Sequence, residues 1–203
     1  MGKKATVIKG DGIGPEVVDS MIKVLKECNS NVELILADAG SEQWQRNGEK
    51  DPTYIPENTM KLLETTDACF KGPTTTIPKP GAPRSVAVTL RQKFELYSNI
   101  RPIKTYKRIT PNHDLDFVCF REATEGLYTG IEVQLTEDAA IAIRKITRQG
   151  CRRFINSATN WAKNYNMKKL VAITKRNILK TTDGIFWDEA CKIGGQVPGL
   201  EVS

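Results

Sequence analysis

Three arginines stand where an anion could be gripped. The first closes the stretch Ser85-Val86-Ala87-Val88-Thr89-Leu90-Arg91-Gln92, nearly two helical turns after its serine. A serine at a helix start offers a hydroxyl and free backbone N–H groups to an anion. The second lies in Asn99-Ile100-Arg101-Pro102, an arginine in extended backbone before proline. The third, Arg121, follows the apolar run Phe117 to Phe120 and leads into Glu122-Ala123-Thr124-Glu125-Gly126-Leu127-Tyr128. Each alone is more ordinarily a surface residue. Guanidinium forks pair bidentately with carboxylates and stay charged at any working pH. Three of them with a helix N-terminus suit a di- or tricarboxylate.

Two proton carriers accompany them. Lys175 stands directly after the apolar segment Leu170 to Thr174, in Lys175-Arg176-Asn177-Ile178-Leu179-Lys180. A lysine crowded by cations can release its proton more readily and exchange it. Tyr128, in a polar loop beside glycines, could supply a phenolic proton. On chemistry alone, a solvated strand end and a core-edge aromatic are the plainer readings of these two.

The elements that must position these groups alternate. Ala5 to Lys9 reads as a strand, and Gly10-Asp11-Gly12-Ile13-Gly14-Pro15 breaks it. Pro15 and Glu16 suit the first turn of a helix with Val17, Val18, Met21, Ile22 and Leu25 on one face. Val32 to Ala37 is a second strand, Pro56 opens a helix through Leu63, and Ala68-Cys69-Phe70 is a short buried strand. After a loop from Thr74 to Pro83, Ser85 caps a helix running to Leu96. This order implies an α/β domain around a parallel sheet. Beyond Pro102 come strands at Phe117–Phe120, Gly130–Gln134, Ala140–Thr147 and Leu170–Thr174. A long amphipathic helix through Cys151, Phe154, Ile155, Ala158, Trp161 and Tyr165, and a final helix from Asp183 to Lys192, complete the pattern. Asp183 reads as a helix cap. The boundary between domains falls near Ile100–Lys104, giving domains of residues 1–102 and 103–203.

The first glycine loop does not fit dinucleotide binding of the Rossmann type. Gly14 comes two residues after Gly12 instead of three, and Pro15 removes a backbone donor where pyrophosphate would need one. No Walker lysine is present.

Composition bounds the rest. The chain has 203 residues, 39% hydrophobic and 27% charged, with no apolar run long enough to span a membrane. No signal-peptide pattern is visible, which places the protein in the cytoplasm. The five scattered cysteines read as buried small hydrophobes in a reducing compartment. A single histidine, His113, in a polar turn, all but excludes a His-based triad or multi-histidine metal site. The net charge of +6 fits either nucleic acid or a small polyanion. Because the basic residues are spread through helices and strands, the polyanion is favoured, with neither nucleic acid nor membrane as partner.

Taken in order, six stretches resemble the isocitrate and isopropylmalate dehydrogenase family. They are Gly10 to Glu16, Lys71-Gly72-Pro73-Thr74-Thr75-Thr76, Ser85 to Arg91, Arg101-Pro102, Arg121 to Tyr128, and Lys175 to Lys180. Thr124-Glu125-Gly126-Leu127-Tyr128 looks like the isocitrate branch. The resemblance implies a two-domain, non-Rossmann α/β fold, incomplete in this chain. It implies oxidative decarboxylation of isocitrate to 2-oxoglutarate, with NAD or NADP as hydride acceptor and Mg²⁺ or Mn²⁺ polarising the substrate. Arg91, Arg101, Arg121 and Ser85 would hold the tricarboxylate. Tyr128 would protonate the enolate, and Lys175 would serve proton transfer in the partner subunit's site of a homodimer. Thr75, Thr76 and Asn177 would lie along the cofactor.

The metal ligands and adenosine loop of the family are not matched by any residue here, so the chain is expected to be a truncated part with negligible activity alone. Ala87 and Ala123 replace asparagines common in isocitrate enzymes. Homoisocitrate or 3-isopropylmalate dehydrogenase, and a non-catalytic relative that binds a tricarboxylate, are the alternatives.

Overall fold

The computed structural model describes residues 2–79, 81–109 and 114–203; His113 and its turn, and Pro80 of the Thr74–Pro83 loop, lie outside the described residues. The chain divides into two compact units, Met1–Leu90 and Arg91–Ser203.

The first unit holds a parallel three-stranded sheet. Strand β1 (Lys3–Ile8) lies between β2 (Val32–Ala37) and β3 (Ala68–Lys71). Helices α1 (Gly14–Glu27), α2 (Ser41–Arg46) and α3 (Glu57–Thr65) connect the strands. The central strand carries the core: Ala5, Thr6, Val7 and Ile8 are buried, as are Val18, Tyr54 and Leu63. A strand covered on both faces buries every side chain in turn, and Thr6 does so with its hydroxyl paired to that of Thr66 at 2.8 Å.

One expectation fails here. Ala68 and Cys69 are exposed and Phe70 is only half-buried. As the edge of the sheet, β3 is paired on one side alone among the described residues.

Helix α4 (Val86–Lys93) begins after Ser85 as expected, but it stops short of Leu96. Glu95 takes a left-handed φ of 49°, and the Leu96 N–H turns back to the Arg91 carbonyl at 2.9 Å.

The second unit is built from hairpins and two packed helices. Strands β4 (Ser98–Lys104) and β5 (Asp116–Glu122) pair antiparallel, and so do β6 (Gly126–Thr136) and β7 (Ala139–Lys145). Helix α5 (Arg148–Asn164) packs on α6 (Thr182–Gly194) through Cys151, Phe154, Ile155 and Ala190. Phe120, Ile146, Ile185 and Phe186 close over this cluster. The strand expected over Leu170–Thr174 is reduced to β8 (Lys169–Leu170), parallel to β9 (Glu201–Val202). The apolar run continues through Val171, Ala172 and Ile173, and the Ala172 N–H reaches the Ser203 carbonyl at 2.8 Å.

Glu189, also buried between the two helices, is held by Arg148 at 2.8 Å and Arg152 at 2.9 Å. The expectation that the cysteines are buried holds for Cys151 alone. Cys28, Cys69 and Cys191 are exposed, Cys119 is intermediate, and all five are free thiols.

Candidate active site

In the first unit the glycine loop serves as a structural hub. Asp11 is 3% exposed, and its carboxylate accepts three backbone N–H groups: Ser41 at 3.1 Å, Glu42 at 2.9 Å and Thr75 at 2.6 Å. The first two are orphan donors at the start of α2, so this one side chain caps a helix that apolar periodicity did not reveal. The third fixes the Thr75-Thr76 segment, whose two threonines are exposed. Two glycines allow the arrangement. Gly10 has φ 77°, and a Cβ there would meet the Pro73 carbonyl oxygen at 1.9 Å; a Cβ on Gly40 would meet the Asp11 carboxylate at 2.4 Å. Ser85 is half-buried, and its Oγ accepts the Val88 N–H at 3.2 Å. The hydroxyl thus caps α4 and keeps its own proton free to donate to an anion.

In the second unit the structure gathers Arg91, Arg121 and Tyr128. The Arg91 guanidinium carbon lies 5.9 Å from the centre of the Tyr128 ring, and that of Arg121 lies 5.4 Å from it. Gln92 donates to the Tyr128 carbonyl at 2.9 Å. The β4–β5 register sets Asn99 opposite Arg121 and Arg101 opposite Cys119. Residues directly opposite share a face, so Arg101 and Arg121 project to the same side as diagonal neighbours. Asn99 accepts from the Arg101 Nε at 2.7 Å, steadying the exposed guanidinium.

The turn that aims Tyr128 is tied by its own acidic residues. Glu122 accepts from the backbone of Thr124 at 3.0 Å and of Glu125 at 2.8 Å, and from the Thr124 hydroxyl at 2.6 Å. Glu125 accepts the N–H of Thr147 at 2.9 Å and also its hydroxyl. Arg153 donates to the Thr124 hydroxyl at 2.8 Å and lies over the Tyr97 ring. Ala123 is buried, and its N–H reaches the Tyr97 carbonyl at 3.0 Å. Burial in the α5–α6 core, with the coulombic pressure of Glu125 and then of Glu189 and Glu122, pushes the Cys151 thiol up to about 11.

Lys175 and Asn177 lie on an exposed turn of the same unit. Among the described residues no hydrogen bond, ion pair or ring contact joins them to Tyr128 or the arginines. Asp183 holds this turn and is not a helix cap. It sits inside α6, is 4% exposed, accepts the Lys175 N–H at 2.6 Å and pairs with Arg144. Arg176 lies 4.0 Å from the centre of the Trp187 ring.

Asp11, Glu122, Glu125 and Asp183 are thus residues whose positioning part the site reading missed. The only sequence signal was an acid beside a motif; what distinguishes them is the backbone N–H groups each carboxylate collects, with Asp11 and Asp183 also buried.

A groove of about 980 Å³ also opens in this unit, lined by Phe120, Cys151, Phe154, Ile155, Trp161 and Phe186 among others. That mostly carbon lining suits core packing and not a polyanion, so the arginine–tyrosine cluster is the better candidate for acid binding. Among the described residues no group of three His, Cys, Asp or Glu side chains could hold a metal ion, so the residues present do not fit one. No helix among them is long and apolar enough to cross a membrane.

Two mixed α/β units, one with arginines around a tyrosine, limit the class of protein this can be, and comparison with known proteins makes the class specific. The chain belongs to the isocitrate/isopropylmalate dehydrogenase family, whose model matches residues 4–202. It is 38% identical over 201 residues to a 3-isopropylmalate dehydrogenase of Methanothermobacter thermautotrophicus, covering 98% of this chain and 58% of that protein. It is 39% identical to a homoisocitrate dehydrogenase of Methanocaldococcus jannaschii, covering 90% of this chain and 55% of that protein. The crystal structure of isocitrate dehydrogenase from Methylococcus capsulatus matches with a TM-score of 0.89 at 38% identity, covering 98% of this chain and 59% of that one. The chain therefore spans a little over half the length of these relatives, and their names carry three different substrates.

Proposed function

We propose that this chain supplies most of the acid-binding pocket of a dehydrogenase that oxidises and decarboxylates isocitrate to 2-oxoglutarate. The observation that carries the reading is the placement of Arg91 and Arg121 against the Tyr128 ring, with Arg101 on the same face as Arg121. Two or more guanidinium forks beside a phenol suit a substrate with several carboxylates that must also receive a proton. In this reading Arg91, Arg101 and Arg121 bind the carboxylates, and Ser85 donates its hydroxyl proton to one of them. NAD or NADP, when bound, would accept the hydride, with Thr75, Thr76 and Asn177 along it. Lys175 takes the proton of the substrate hydroxyl as the C–H bond is oxidised. After CO₂ leaves, the Tyr128 phenol returns a proton to the carbon that held it. Mg²⁺ or Mn²⁺ belongs to the family reaction, and its ligands would come from outside the residues described here.

A homodimer is part of the same proposal. The register of β6 and β7 pairs Ile131 with Ile143 and Val133 with Ile141, which places four exposed apolar side chains on one face of a two-stranded ribbon. Such a face needs a cover, and a second copy supplies a self-complementary one. A cytoplasmic location fits the five free thiols.

The test is turnover of isocitrate, homoisocitrate and 3-isopropylmalate by the complete protein, with NAD and with NADP. The highest kcat/KM is expected for isocitrate. A higher value for either other acid reassigns the substrate; the buried Ala123 and the replaced Ala87 are where that preference would arise. Binding of an acid without turnover of any would support a non-catalytic relative.

A further inference from the structure

Asp183 is a buried carboxylate to which the chemistry above assigns nothing. We propose that it is a positioning residue that sets the aim of Lys175 and ties it to the β6–β7 ribbon. The inference rests on the reading of Lys175 as the proton-transfer residue.

The side chain of Lys175 is exposed, so its direction is set mainly by its backbone. That backbone is held at both ends. One Asp183 oxygen accepts the Lys175 N–H at 2.6 Å. The Lys175 carbonyl accepts from Ile178 and Leu179, each at 2.9 Å, and the Asp183 N–H returns to the Leu179 carbonyl at 3.0 Å. The turn is therefore closed on itself, with the carboxylate as its latch.

The other carboxylate oxygen takes the Arg144 guanidinium. Arg144 belongs to β7 and also donates to the Thr182 hydroxyl at 3.1 Å. One carboxylate thus joins the ribbon, whose apolar face awaits a second copy, to the turn that carries Lys175 and Asn177. A shift of the ribbon on self-association is transmitted to Lys175 through Arg144 and Asp183. Because a carboxylate takes four or so donors and gives none, no neutral side chain of its size can serve both partners equally.

The test uses the assembled enzyme and steady-state kinetics with the acid substrate. Asp183→Glu keeps the charge and moves the carboxylate by one methylene. Its kcat is expected to fall by about tenfold, and that of Asp183→Ala by about a hundredfold, as misplacement of a reacting group does. KM for the acid should stay within about threefold, because the arginines that bind it are untouched. Arg144→Met keeps the Lys175 latch and cuts the ribbon link; its kcat should fall by about threefold to tenfold. Should Asp183→Ala not fold, Asp183→Glu alone decides.

Lys175→Met is the control. If it is inactive while Asp183→Glu keeps full kcat, or loses only in KM, the positioning inference fails and the reading of Lys175 stands. If Lys175→Met turns over normally, both fail. An unchanged Arg144→Met overturns the link to the ribbon.

Discussion

The guanidinium of Arg121 lies 5.4 Å from the centre of the Tyr128 ring. The two residues bracket the Glu122–Leu127 segment, and a cation over an aromatic face holds the ring in place. Arg91 lies against the same ring, its guanidinium carbon 5.9 Å from the centre, and the proposed acid seat rests on this pairing of two cations with one phenol.

Tyr128→Phe keeps the ring and both cations and removes the proton. Turnover of the acid should fall by about 10² to 10⁴, with KM nearly unchanged, since general acid catalysis contributes on that scale. Steady-state kinetics of the complete protein check this. A loss expressed mainly in KM would make Tyr128 a binding residue instead.

Asp11→Ala leaves three backbone N–H groups of Ser41, Glu42 and Thr75 without their acceptor. Such a change should cost roughly 3 kcal/mol of stability, read from urea midpoints. It should also raise KM for the dinucleotide more than KM for the acid, because the Thr75-Thr76 segment loses its anchor. Equal effects on the two constants would separate Asp11 from the cofactor.

The acid dependence of stability should carry a signature of Glu189. Hydrogen bonds from Arg152, and then from Arg148, hold its carboxyl below the usual glutamate range. A depressed folded value contributes stability at pH above the ordinary value of about 4.3, and that contribution is lost as pH falls through the folded value. The stability gap between wild type and Glu189→Gln should therefore be full at pH 7, begin to narrow near the ordinary value of about 4.3, and close as pH falls through the lower folded value. Denaturation midpoints at a series of pH values measure it. A gap that does not narrow with acid would show that lost packing, not charge, dominates.

Placing a charge on the ribbon should break self-association. Val133→Asp sets an unpaired carboxylate directly opposite Ile141. Sedimentation should then show a shift toward the smaller species, with the fold retained by circular dichroism. Unchanged assembly would move the interface elsewhere.

Much of the scaffold was legible because its elements declare themselves locally. The run Thr6-Val7-Ile8 is apolar enough to be the central strand, and Ser85 could be seen as a cap from its place before Val86. The amphipathic stripe of α5 appears as read, with Cys151, Phe154 and Ile155 buried. The misses share a physical cause. Helix α2 exists because Asp11, distant in sequence, caps it. Residues Val171 to Thr174 have strand composition, while among the described residues the paired ladder covers Lys169 and Leu170, with the Ala172 N–H reaching the Ser203 carbonyl at 2.8 Å. Asp183 resembles a cap in sequence, and only tertiary structure shows it bent back to Lys175. Long-range hydrogen bonds to buried carboxylates leave no periodic trace. In the site, the residue types of Arg91, Arg121 and Tyr128 were readable, while their convergence on one ring was not.

The central claim is that Arg91, Arg101 and Arg121 form a cationic seat for an acid with several carboxylates. Calorimetric titration of isocitrate onto the complete protein, and onto a variant carrying Arg101→Glu and Arg121→Glu, tests it most directly. Saturable binding by the wild type and none by the folded double variant is the result this account requires. Equal affinity in the two proteins would contradict it.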